Sequence, residues 1–185
     1  MPNQGLFGFS SPTRLFSGKL IYEKVFDSPD IADIIDISQE FSHLEIRGHL
    51  SAASVGIGGL GIYVNGDTNA NNYIWQYHYV YGASHAVGKY ASCNCGWVSG
   101  TDSGLFSNTI INVLWYNSNH SPKIFSIVDI CHNSNGNHID DYGFTNWYST
   151  APVTRLTFGA GDGPFSNLAV GSILQVIGIS DAQDI

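Results

Sequence analysis

The chain is short of charge. Only 7 of its 185 residues are Lys or Arg and 15 are Asp or Glu, which leaves a balance of −8 and no basic tract. Binding nucleic acid through phosphate neutralisation is therefore not expected, because nothing supplies the positive field. Charged residues make up 12% of the chain, about half the usual share. Gly, Ser and Asn take their places, and a surface poor in Lys and Glu has the composition of an interface as much as that of a free exterior. No stretch of about 20 apolar residues exists, so no membrane-spanning helix is expected. Residues 1–18 lack a basic segment followed by an apolar one and do not read as a secretory signal. The cysteines are Cys93, Cys95 and Cys131. An odd count with a C-x-C pair is a poor basis for a disulfide framework and fits thiols kept reduced during synthesis in a cytoplasm. G-x-S-x-G, H-E-x-x-H and P-loop patterns are also missing. No catalytic residue and no cofactor are expected on these grounds.

What is present is alternation of period two, which points to an all-β protein. In residues 43–50, Leu44, Ile46 and Leu50 face one way, while His43, Glu45, Arg47 and His49 face the other. Residues 53–64 read as a strand softened by glycine, followed by an Asn65-Gly66-Asp67 turn. Tyr73, Trp75, Tyr77, Tyr79 and Tyr81 then share one face of a strand. Further strands are expected over 107–116, 123–131, 142–149, 154–158 and 171–180, with a turn at 134–137 and a loop at 159–164. Residues 29–37 suit a strand more than a short helix. Nine or ten strands at these spacings suit a sandwich or barrel, and no repeat suggests a solenoid or propeller. Residues 1–18 read as an N-terminal arm. Pro2, Gly5, Gly8, Pro12 and Gly18 break it, and Leu6, Phe7, Phe9, Leu15 and Phe16 give it apolar contacts to lay against its own domain or a neighbour. Residues 19–185 form the single domain.

Several residues invite a chemical reading. Cys93, Cys95, Cys131 and His132 could in principle give zinc four ligands, but C-x-C is tighter than the usual ligand spacing, and buried cysteine packs as a small apolar group. His132 and His138 flank an Asn/Gly turn just before Asp140 and Asp141. Acid–base chemistry is conceivable there, and solvated turn residues are the simpler reading. The early acids, from Glu23 to Glu45, could hold a calcium ion or repel unwanted partners, while the oxygen-rich loop 65–71 lacks the order of a calcium loop and reads as a plain turn. The aromatics Tyr73, Trp75, Tyr77, Tyr79, Trp147 and Tyr148 could stack on sugar, or could be one face of a core or a subunit interface.

Two segments carry a resemblance. Asn65-Gly66-Asp67-Thr68 followed by Asn72-Tyr73, downstream of HLEIRGHL at 43–50, resembles a stretch of tailed-phage virion structural domains. Residues 153–158, then Phe165 to Ser172 with its Gly171-Ser172 pair, then Ile177-Gly178-Ile179, resemble the ending of the same domains. Leu168-Ala169-Val170 and Gln175-Val176-Ile177 depart from the usual residues and keep apolar strand character. The resemblance implies a jelly-roll-type antiparallel β-sandwich on the virion, at the capsid surface, acting as a symmetric oligomer of which a homotrimer is a common form. Its partners would be copies of itself and the phage major capsid protein, as in a capsid cement or decoration protein. The alternative within the same class is a tail-fibre or tail-tip receptor-binding module, with tail proteins or host carbohydrate as partners.

Overall fold

The computed structural model describes residues 17–132, 138–161 and 165–180. Twelve strands form a large, mostly antiparallel sheet, with no α-helix among the described residues. They are β1 (Ser17–Val25), β2 (Ala32–Ile34), β3 (His43–Ala52), β4 (Gly58–Val64), β5 (Tyr73–Tyr81), β6 (Ser84–Tyr90), β7 (Asn94–Gly100), β8 (Ser107–Leu114), β9 (Lys123–His132), β10 (His138–Trp147), β11 (Leu156–Ala160) and β12 (Ile173–Ser180).

The longer ladder runs β1-β12-β3-β8-β9-β10-β5-β6, antiparallel throughout. The shorter runs β2-β11-β4-β7, also antiparallel. A brief parallel bridge joins them where Ser51 and Ala52 meet Ser99 and Gly100. β7 lies over β9 and β10. One core cluster draws on both ladders, from Phe26 and Leu44 to Phe158 and Val176.

Alternation decides which residues enter that core. Leu44, Ile46 and Leu50 of β3 are buried, as are Phe125, Ile127 and Cys131 of β9. Between the latter, Ile124, Val128 and Ile130 point outward and are 40–50% exposed. Asn65 and Gly66 both adopt positive φ, 54° and 74°, and the Asp67 N–H closes the turn on the Val64 carbonyl, as an Asn-Gly pair favours.

Several boundaries differ from expectation, among them β10, which begins at His138 and not at 142. Residues 53–57 are loop, so β4 begins only at Gly58. β2 is confined to three residues within 29–37. β8 stops at Leu114 because Trp115 turns to a φ of 50°. β1 begins at Ser17, so the strand takes in the last two residues assigned to the arm. The arm contacts Leu6, Phe7, Phe9, Leu15 and Phe16, and the turn 134–137, lie outside the described residues. Besides β1, two strands were not anticipated. β6 is an exposed edge of Ser, His, Gly and Lys, and β7 is built largely of small residues buried on both faces.

Candidate functional site

The segment that carried the resemblance is a structural latch. Asn65 Oδ1 accepts from the N–H groups of Thr154 (2.8 Å) and Arg155 (3.1 Å), and its amide donates to the Pro152 carbonyl. Asp67 Oδ2 accepts from Trp147 Nε1 (2.8 Å) and Asn72 Nδ2 (2.9 Å), and Oδ1 from the Asn69 N–H. Partial burial opposes the charge, but these three donors hold the Asp67 carboxyl below its ordinary range. The Tyr73 hydroxyl donates to the Asp67 carbonyl and accepts from the Val64 N–H. The closing segment is structural in the same way. Ser172 Oγ meets the Ser51 backbone, and a side chain at Gly178 would lie 2.3 Å from the Phe41 ring.

The six aromatics separate. Tyr73, Trp75 and Trp147 are 0%, 0% and 3% exposed and present no ring to a ligand. Burial inside the core therefore removes them as contact residues. Tyr148 is exposed and Tyr77 and Tyr79 are half-buried. Tyr77 and Tyr79 stack at 5.5 Å, Trp97 of β7 meets Tyr79 edge-on at 5.8 Å, and Tyr90 of β6 meets Tyr77 at 5.7 Å. Together they make an aromatic shelf on the inner side of the β5–β6 hairpin. Trp97 and Tyr90 were not expected there, because neither β6 nor β7 was read as a strand.

Behind the shelf, sequence reasoning missed a pair of carboxylates. Asp129 and Asp141 are direct cross-strand partners on β9 and β10, at 1% and 0% exposure. Thr109 and Tyr79 continue the row on either side. Asp129 accepts from the Trp97 N–H (2.7 Å) and the Thr109 hydroxyl (2.5 Å). Gly96 lets the β7 backbone close over it: its φ is 126°, and a Cβ there would sit 3.3 Å from Asp129 Oδ2. Among the described residues no side chain donates to Asp141, and the Tyr142 backbone N–H alone favours its charged form. Desolvation pushes both acids up to about 7. For Asp129 the Thr109 and Trp97 donors oppose the rise, and the neighbouring Asp141 adds to it. The signal was available. Asp129 shares the parity of Phe125, Ile127 and Cys131, and Asp141 that of Ile139 and Trp147. The solvated reading of Asp141 is thus corrected: only its neighbours face outward, with His138 Nε2 3.6 Å from Asp140 Oδ2. Beneath β7 the pair is closed off from solvent. It can hold a proton and tune stability.

The zinc candidates do not gather. Cys93, Cys95 and Cys131 are buried and reduced. Burial drives the Cys95 and Cys131 thiols above their ordinary pKa, which disfavours the thiolate a metal needs. His132 is half-buried, 6.3 Å from the His138 ring. Among the described residues no group of three or more His, Cys, Asp or Glu is placed to hold a metal ion. No known protein family, curated protein or solved structure matches this chain.

Proposed function

We propose that the chain is a non-enzymatic structural protein of a bacteriophage virion, a homotrimeric capsid decoration protein that bridges major capsid protein subunits. The observation that carries this reading is the order of strand pairing. If β5–β6 and β9–β10 are set aside as inserted hairpins, eight strands remain. Renumbered one to eight, they pair as 1-8-3-6 and 2-7-4-5. That order is the double Greek key of an eight-stranded jelly roll, a fold used by viral capsid domains. It agrees with the virion resemblance of the 65–73 and 171–179 segments. A cement protein works by burying area across subunit seams, and the low charge of this surface suits such burial.

The test is occupancy of the particle. A decoration role requires many symmetric copies on the shell in a cryo-EM map, and particles lacking the protein should lose DNA sooner on heating. One or two copies per virion, at the tail, would overturn the capsid reading.

The aromatic shelf favours a second reading, a tail-tip module that stacks Tyr77, Tyr79 and Tyr90 against host sugar. Binding on a glycan array that is lost in Tyr77→Ala with the fold intact would support it. An array without signal would remove it.

A further inference from the structure

The outer face of the longer ladder is divided. One directly opposed row crosses all eight strands: Glu23, Gln175, Arg47, Ile110, Val128, Tyr142, His78, Val87. Its first part is polar and charged. From β8 onward it is mostly apolar. Ile110, Val128, Tyr142 and Val87 are 43%, 42%, 54% and 74% exposed, and Phe144 and Ile130 flank them at 38% and 40%. Single exposed apolar residues are ordinary, but a band that crosses β8, β9 and β10 and resumes at Val87 beyond His78 is not.

Area and charge argue for one occupant. Five strands about 4.8 Å apart, each about 25–30 Å long, give a footprint of about 600–700 Å². That is the area of the whole face, its polar positions included, and it approaches the ~800 Å² per partner of a stable interface. Two copies of a chain with a balance of −8 repel over most of their surface. On the outward positions of β5, β6 and β8–β10, however, the only fully charged side chains are Asp140 and Lys89, one of each sign. Here two copies can meet without stacking like charge. A depression of about 680 Å³ beside Val128, Tyr142, Phe144, Val87 and Gln76 offers room for side chains of the facing copy.

We propose that this face, the outer side of β8-β9-β10-β5-β6, is where a second copy of the chain docks. The contact proposed is a two-fold one, the same face on both copies, and it rests on neither the virion part nor the trimer of the function proposed above. Inward parity builds the core, and outward parity on the same strands builds the contact.

The test uses the full chain and its mass by light scattering over a dilution series. The wild type should self-associate. Val128→Glu and Tyr142→Glu, each placing a charge mid-face, should weaken association about 100-fold or more with unchanged circular dichroism. Val55→Glu, the same change at a 76% exposed loop position, should leave it intact. Hydroxyl-radical footprinting of the wild type, which needs no variant, should protect Tyr142 and Phe144 as concentration rises. A monomeric wild type overturns the proposal, as do face variants that still associate or unprotected Tyr142 and Phe144. If removing residues 1–16 dissociates the protein while Val128→Glu does not, the arm makes the contact and the proposal fails. Capsid occupancy is measured separately, so the virion reading can stand or fall without this one.

Discussion

Two buried carboxylic acids side by side should make this protein less stable at neutral pH than in mild acid, and Asp141→Asn should reverse much of that trend. Each acid is held near 7 in the folded chain against an ordinary 3.8. A raised pKa means the folded state binds the proton more tightly than the unfolded state does. Its contribution is fully present below the unfolded value and is lost as pH rises through the folded value, so the window runs from about 4 to about 7. Three units at 1.36 kcal/mol each give about 4 kcal/mol for one acid as an upper figure. That is a large part of a domain's usual 5–15 kcal/mol. Asp33 and Asp67 work in the opposite sense, being held below their ordinary values, and they act below pH 4, outside the window. Asp141→Asn removes one ionisation. It also removes a charge that raises Asp129. Urea unfolding from pH 4.5 to 8 should therefore show a falling wild-type midpoint and a slope in the variant less than half as steep. Parallel profiles would refute the reasoning, whatever the absolute stabilities, because the new amide brings its own unpaired donors.

Asp67→Ala removes an acceptor shared by Trp147, Asn72 and Asn69 and strands the buried Trp147 N–H. It should cost about 2–3 kcal/mol in denaturant unfolding and change the tryptophan near-UV signal. Gly178→Ala drives a methyl into the Phe41 ring and should cost about 1–3 kcal/mol, with partial recovery when Phe41→Leu is added. The three buried thiols should be silent to a thiol reagent in the native protein and react together at the unfolding midpoint. Early reaction of one alone would mean that its strand opens locally.

Strands whose side chains differ in kind from face to face were legible in the sequence. β3 alternates aliphatic with charged residues, and β5 sets aromatics against Ile, Gln, His and Val, so the 2.0 period shows directly. β7 was not legible, because Asn94 to Gly100 is buried on both faces and has no polar side to alternate with. β6 was hidden for the opposite reason, since an exposed edge needs no apolar parity. The acid pair shows how a site escapes notice. Asp140 and Asp141 are adjacent in sequence and look alike, yet parity sends one to solvent and the other under β7. The partner that gives Asp141 meaning is Asp129, met only through the β9–β10 register, which lies beyond any local pattern.

That register also bears on why the chain has more strands than the proposed eight-stranded jelly roll requires. The hairpins β5–β6 and β9–β10 lengthen one ladder and not the other. Their inward sides need cover, and β7 with Trp97 supplies part of it at the cost of sealing in two carboxylates. Their outward sides carry Val87, Ile124, Val128, Ile130, Tyr142 and Phe144, most of the exposed apolar side chains of the longer ladder's strands. An insertion that served only the fold would gain from polar residues at those positions, as β3 has in Glu45 and Arg47. Apolar residues there, on strands that the proposed eight-stranded jelly roll does not need, are best accounted for by a contact made outside the single chain.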